Sequence, residues 1–321
     1  MGARVRVLRD RWEFQGAGAL RPVRASRWVR CGSSGTTLRF LLSAAALSPE
    51  RTRLTGSAEL GRRPVDALLA TLVARGATLE RRGAGGGWSI SIRGAIAPGR
   101  FSIRASESSQ FLSSLLLVLP RLGQRSTLVA RGPIVSRPYV DATLALLRAN
   151  GVGITAGAGG WEIPAPVPYR LRSFSVPGDA SSAAPLWVAA VVSGGSASIG
   201  GMDARWPQAD LAILDLLRSA GAEVRLRGTR ALVRSGRLEP FRFNFDDCPD
   251  LLPLGGVLAA YVDSGESRLE GGAHARRKES DRLRETARLA HALGARVRLR
   301  RSAICVRRGT LPARLRYRPP T

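Results

Sequence analysis

The chain has 321 residues, 44% of them hydrophobic, long enough for two domains with cores of their own. Its formal charge of +26 is spread along the chain and comes with no RNP, zinc-finger or KH signature, so small anionic ligands are expected in preference to nucleic acid. Three cysteines without C-x-x-C spacing argue against a disulfide framework and fit a reducing cytoplasm, and no apolar run reaches the length of a membrane span.

In chain order, five stretches share one pattern of Gly-Ala or Gly-Val, strand, turn and strand. They are "GARVRVLRDRWEF" at Gly2, "GATLERRGAGGGWSISI" at Gly76, "GVGITAGAGGWEI" at Gly151, "GAEVRLRGTRALV" at Gly221 and "GARVRLRRSAICV" at Gly294, at intervals of 74, 75, 70 and 73 residues. Trp12, Trp88 and Trp161 recur at nearly the same offset. Each glycine suits a left-handed helix cap, and the alternation after it suits half-buried strands. Between hairpins the pattern predicts two helices. The first opens on small polar residues, as in "GSSGTTLRFLLSAAAL", "SESSQFLSSLLLVLP", "GDASSAAPLWVAAVV" and "DCPDLLPLGGVLAAY". The second runs into the next Gly-Ala, as in "RPVDALLATLVARGA" or "KESDRLRETARLAHALGA". The class is α/β, with several copies of one module.

Four segments carry candidate chemistry. "GSSGTT" (32–37) and "ESSQ" (107–110) place Gly and Ser at helix starts, where backbone N–H groups and the helix dipole favour anions; simple capping is the plainer reading of each. In "DDCPDLLP", Pro249 suits a first helical turn and sets Asp250 near a helix start, an acceptor at neutral pH. A metal held by Asp246, Asp247 and Asp250 is discounted, since no further ligand stands at the right spacing. In "RRKESDRL", Lys278 is the one lysine among 50 Lys+Arg. Leu283, Ala287 and Ala290 form an apolar helical stripe whose extension by one turn reaches Glu279, a candidate general acid, while Lys278 and Arg282, four apart, could clamp an anion. A compact ammonium can pass a proton where a guanidinium cannot.

Taken together, "GSSGTTLR", "GRRPVDALL", "SSQFL", "SRPYVDATL", "PGDASSA", "DCPDLLP" and "RRKESDRL" resemble, in order and spacing, the 5-enolpyruvylshikimate-3-phosphate synthase family, and with the flanking hairpins the resemblance covers nearly the whole chain. It implies a two-domain enolpyruvyl transferase fold built from βαβαββ-type modules of about 70–75 residues, with the active site in the interdomain cleft. The domains are then expected at 1–175 and 176–321. The implied reaction moves the enolpyruvyl group of phosphoenolpyruvate to the 5-hydroxyl of shikimate 3-phosphate and releases phosphate, with no metal or organic cofactor. Ser108, Ser109, Gln110, Ser136, Tyr139, Asp250, His274 and Lys278 match residues that contact shikimate 3-phosphate. Gly35, Thr36, Arg63, Gln110 and Arg282 match contacts to phosphoenolpyruvate. Asp250 and Lys278 match the groups that handle the hydroxyl proton, and Glu279 the acid that protonates the methylene carbon.

The resemblance also implies six modules, roughly 430 residues, with a Lys-Ser…Arg motif in the first and an Asp-His-Arg motif in the sixth. Neither motif occurs here; Ser33 stands for the usual Asn, and His274 stands where Asn is common. The chain expressed alone is therefore expected to be poorly stable, and to turn over as a monomer only with the missing modules, or with a partner chain that supplies them. Two competing readings are a transferase acting on UDP-N-acetylglucosamine and a non-catalytic remnant binding anions or nucleic acid. The first calls for a loop cysteine, whereas Cys31 and Cys248 sit at element boundaries and Cys305 in a strand. The second would show a steep salt dependence on DNA.

Overall fold

A computed structural model describes residues 3–16, 28–83, 87–157, 159–278, 280–310 and 317. The chain forms two units, residues 1–134 with 146–171, and residues 135–145 with 172–321.

The first unit opens with β1 (Arg4–Val7) and β2 (Trp12–Gln15), an antiparallel pair in which Val5 faces Phe14 and Val7 faces Trp12. Next come β3 (Trp28–Arg30), α1 (Gly35–Ala45), β4 (Thr52–Thr55), α2 (Ala58–Arg62), α3 (Asp66–Val73), β5 (Thr78–Arg82) and β6 (Ser89–Arg93). The sheet order is β3-β4-β6-β5: a parallel pair joined through a helix, extended by an antiparallel hairpin. The same plan repeats in β7 (Arg100–Arg104), α4 (Ser109–Leu116), β8 (Ser126–Arg131), α5 (Arg137–Ala149), β9 (Thr155–Gly157) and β10 (Gly160–Ile163), ordered β7-β8-β10-β9. By residue number, α5 begins in the second unit and ends in the first.

In the second unit, α6 (Ala180–Val192), β11 (Ser196–Ile199), α7 (Ile213–Ser219), β12 (Glu223–Arg227) and β13 (Arg230–Arg234) give a three-stranded sheet, β11-β13-β12. The last module is β14 (Arg242–Asn244), α8 (Leu252–Ala260), β15 (Glu266–Glu270), α9 (Arg282–Ala292), β16 (Arg296–Leu299) and β17 (Ala303–Arg307), ordered β14-β15-β17-β16. The 70–75-residue period is thus a period of sheets.

The glycine signal holds: Gly76, Gly151, Gly221 and Gly294 each follow a helix with positive φ, between +79° and +105°. The tryptophan signal divides. Trp88 and Trp161 are buried, and Trp88 Nε1 donates to Ser57 O at 2.7 Å. Gly61 lets that ring approach, since a Cβ there would lie 2.4 Å from Trp88 Cδ1. Trp12, by contrast, is 66% exposed. Core residues sit at the alternating strand positions and on the inner helix faces: Leu38, Leu42, Leu54, Ile90 and Ile92 in one module, Trp187, Val233, Leu258 and Ile304 in the second unit, where Phe245, just past β14, joins them. Each such aliphatic side chain contributes about 1.5–3 kcal/mol on burial. Close helix contact is set by small residues: Gly256 of α8 leaves room for Thr286 Cγ2 of α9, which a Cβ would meet at 2.5 Å. Ser43 of α1 and Ser114 of α4 share a buried hydrogen bond of 2.9 Å.

Candidate anion and proton-transfer site

The first unit has its own candidate anion site, built on the starts of α1 and α4. Ser34 caps α1 from an extended backbone, its Oγ accepting from Thr37 N at 3.1 Å and Thr37 Oγ1 at 2.9 Å. Gly35 follows. A Cβ there would stand 2.9 Å from Cζ and Nη1 of Arg63 and 3.1 Å from Nη1 of Arg39, so the missing side chain is what admits two guanidinium groups to this helix start.

Arg39, one turn into α1, is buried. Its Nε and Nη2 donate to Pro64 O at 3.2 and 2.7 Å, and its Nη1 donates to Gln110 Oε1 at 2.6 Å. Burial, then the charge of Arg63, lowers its pKa to about 10, so it remains a cation at neutral pH. Gln110 turns its other end to α1, Nε2 donating to Thr36 Oγ1 at 2.8 Å. Ser108 caps α4, accepting from Gln110 N at 3.2 Å, and both Ser108 and Ser109 are buried. Gly35, Thr36, Arg63 and Gln110 are therefore gathered around Arg39, which sequence reasoning did not single out. The available signal was an arginine inside the apolar run "LRFLL". Two cations, helix N–H groups and an oriented amide form an arrangement suited to a small phosphorylated or carboxylated ligand.

In the second unit, Ser136 precedes α5 with φ +51°, an uncommon conformation for a residue other than glycine, and is 1% exposed. Its Oγ lies 3.3 Å from Nε2 of His274. The other ring nitrogen of His274 is 4.0 Å from Asp246 Oδ1, which accepts from Gly272 N at 2.8 Å. Burial, then the charge of Lys278, lowers the pKa of His274, so the ring is neutral at pH 7. Arg137 N donates to Asp247 Oδ1 at 3.1 Å, bringing a carboxylate to the first turn of α5.

Asp250 lies in a 3-10 turn, Pro249–Leu251, that feeds α8, as the proline suggests. Arg282, first residue of α9, donates from Nη1 to Asp250 Oδ1. A pocket of about 310 Å³ opens beside this pair, with Ser280, Glu285 and Thr286 on its walls. Tyr139 stands in the first turn of α5; burial, then the charges of Asp210 and Asp250, push its phenol up. Among the described residues no group of three His, Cys, Asp or Glu could hold a metal ion.

One helical expectation fails. Leu283, Ala287 and Ala290 are buried as the stripe predicts, but α9 does not extend back past Arg282. Asp281 ends it, Oδ1 accepting from Arg284 N at 3.1 Å, and Lys278 closes a separate 3-10 turn, Ala273–Arg277, with extended backbone. Lys278 and Arg282 thus share no helical face, and Glu279 lies outside the described residues. An Asx cap three residues before Arg284 outcompetes continuation of the helix.

A family model for EPSP synthase (3-phosphoshikimate 1-carboxyvinyltransferase) matches residues 1–316. The 3-phosphoshikimate 1-carboxyvinyltransferase of Methanocorpusculum labreanum is 34% identical over 296 residues, covering 92% of this chain and 69% of the relative. That of Aeropyrum pernix is 37% identical over 316 residues, covering 96% and 70%. Among solved structures, the EPSP synthase of Acinetobacter baumannii matches at TM-score 0.74 and 21% identity, covering 96% of this chain and 71% of that one. The enolpyruvyl transferase NikO of Streptomyces tendae matches at TM-score 0.51 and 17% identity, covering 88% and 82%. At these identities the structural matches establish the fold.

Proposed function

This chain belongs to the EPSP synthase family of transferases, and we propose that it moves the enolpyruvyl group of phosphoenolpyruvate to the 5-hydroxyl of shikimate 3-phosphate, releasing phosphate. The observation that carries the proposal is the cluster around Gln110, whose amide is oriented by Arg39 and Thr36 beside Arg63. That is chemistry for a doubly anionic ligand such as phosphoenolpyruvate, and Arg282 adds a cation in the second unit.

The proposed reaction needs two proton movements. A proton goes to the methylene carbon of phosphoenolpyruvate as the 5-hydroxyl adds to C2 and loses its own proton. The tetrahedral adduct then expels phosphate and loses a proton from the methyl group, restoring the double bond. Asp250 and Lys278 are proposed to handle the hydroxyl proton, and Glu279 the carbon proton. Ser108, Ser109, Ser136, Tyr139 and His274 are proposed to hold shikimate 3-phosphate, with Gln110 touching both substrates. A division of the chain into domains 1–175 and 176–321, action in the cytoplasm, and operation as a monomer or with a partner chain are part of this reading.

The test is phosphate release from the two substrates by the chain, with Lys278→Arg and Glu279→Gln alongside. Loss of rate in both variants supports the roles; full rate in Lys278→Arg overturns the argument from the single lysine.

A further inference from the structure

At the start of α6, the stretch Gly178–Ser182 is held by two side chains distant in the chain, Gln208 and Asp210. Gln208 Oε1 accepts from Ala180 N at 3.0 Å, and its Nε2 donates to Gly178 O at 2.9 Å. Two residues on, Asp210 Oδ2 accepts from the Ser181 hydroxyl. Asp210 is 2% exposed, and its other oxygen, Oδ1, is buried with no hydrogen-bond partner among the described residues. α6 packs against both the 3-10 turn that carries Asp210 and the one that carries Asp250. The groups that act electrostatically on Asp210 are Asp250, Arg282 and Asp179; Asp210 in turn acts on Tyr139 and Cys248.

An ionised Asp210 would be a buried anion with one hydrogen bond, in the field of two further carboxylates. Such a state is strongly disfavoured. Oδ1 is the oxygen with room for a proton, because Oδ2 already accepts from Ser181. We propose that Asp210 is a positioning residue that carries a proton on Oδ1, locking the start of α6 while leaving Arg282 to Asp250 and to a bound anion. The statement about Arg282 rests on the proposed function; the proton does not. Burial pushes the Asp210 carboxyl up, against the Ser181 hydrogen bond; Asp250 adds to the rise, Arg282 opposes it, and Asp179 adds a little more.

Thermal unfolding of the chain from pH 5 to 9, for the parent, Asp210→Asn and Ser181→Ala, decides the matter. A carboxyl with a higher pKa folded than unfolded binds more protons in the folded state, so stability falls as pH rises through the folded value. Asparagine does not titrate. The midpoint of Asp210→Asn should therefore gain several degrees on the parent between pH 5 and 9. A difference that stays constant, or an asparagine variant less stable at pH 9, overturns the proposal. Should Asp210→Asn fail to fold, Ser181→Ala decides: losing the bond that favours the anion deepens the alkaline fall if the proposal holds, and leaves it unchanged if not. In phosphate release, Asp210→Asn should carry the alkaline limb of kcat/KM upward; an unmoved limb in a folded variant counts against the positioning role. If the parent releases no phosphate, the proposed function fails and the unfolding result still stands.

Discussion

Arg39 donates to the side-chain oxygen of Gln110 at 2.6 Å across 71 residues of chain, and this bond decides which way the amide points. With its oxygen taken, Gln110 turns its nitrogen to Thr36. The same guanidinium holds Pro64 O, directly after Arg63. One buried cation thereby aligns three segments that contribute to the proposed anion site.

Replacing Arg39 with Met keeps most of the apolar stem and removes the donors. The hydrogen bonds of a charged group are worth about 1.5–3 kcal/mol, so the KM for phosphoenolpyruvate should rise about 10- to 100-fold, with a lower unfolding midpoint. Initial rates and a melt on the same sample check both.

Gly35→Ala should separate binding from stability. The new Cβ would meet the far ends of two arginine side chains at 2.9–3.1 Å, and these can move by a few tenths of an ångström at small cost to the fold. The displaced Arg63 guanidinium should raise the KM for phosphoenolpyruvate about tenfold, with an unfolding midpoint within about 2 °C of the parent. A KM equal to the parent's would show that Arg63 does not reach the ligand.

For Arg282→Gln the expectation runs the other way from a simple reading of a salt bridge. Asp250 is 41% exposed, so the pair is screened and should contribute less than about 1 kcal/mol to stability. Phosphate release should nonetheless fall about 100-fold or more, because the lost charge is the one proposed to meet phosphoenolpyruvate. Urea denaturation set beside turnover distinguishes the two effects.

His274 is neutral at pH 7 because burial and Lys278 hold its pKa below the ordinary value. The unfolded ring titrates near 6.5, so the stability tied to this residue is present above about pH 6.5 and is lost as pH falls through the lower folded value. His274→Asn should remove that part of the acid-side decline in the unfolding midpoint. An identical decline in both proteins would place its origin elsewhere.

Val5, Val7, Trp12 and Phe14 lie on one face of the first hairpin and are all exposed, Trp12 and Phe14 each at 66%. Exposed apolar faces of this kind drive association. Trp12→Ser with Phe14→Ser should shift the chain toward monomer in size-exclusion chromatography at micromolar concentration, with little change in the far-ultraviolet circular dichroism of the remainder.

Much of this architecture was legible in the chain. The five hairpins follow from alternation, four of them also from the capping glycines Gly76, Gly151, Gly221 and Gly294, all local properties, and the helix starts at Ser34 and Ser108 follow from capping chemistry. The motif residues could be named by resemblance before any contact was known. The error on the last helix was also local: the stripe through Leu283 stops at Asp281. Trp12 shares its position with Trp88 and Trp161 yet is exposed where they are buried, a difference that position does not decide. An alternating pattern says which face of a strand is apolar without saying whether anything covers it, and a helical period does not reveal a cap that ends it.

The module period, the α/β class and the chemical inventory of the site are properties of short windows, where propensity and side-chain type suffice. Which of these groups meet is a property of the folded chain. Arg39 with Gln110 and Ser136 with His274 across 138 residues arise when separate modules pack, whereas Asp250 with Arg282 across 32 residues and the buried, half-satisfied carboxyl of Asp210 arise when distant elements of one module do. Hydrogen bonds and desolvation act over a few ångströms of space, and no pattern along the sequence encodes that distance.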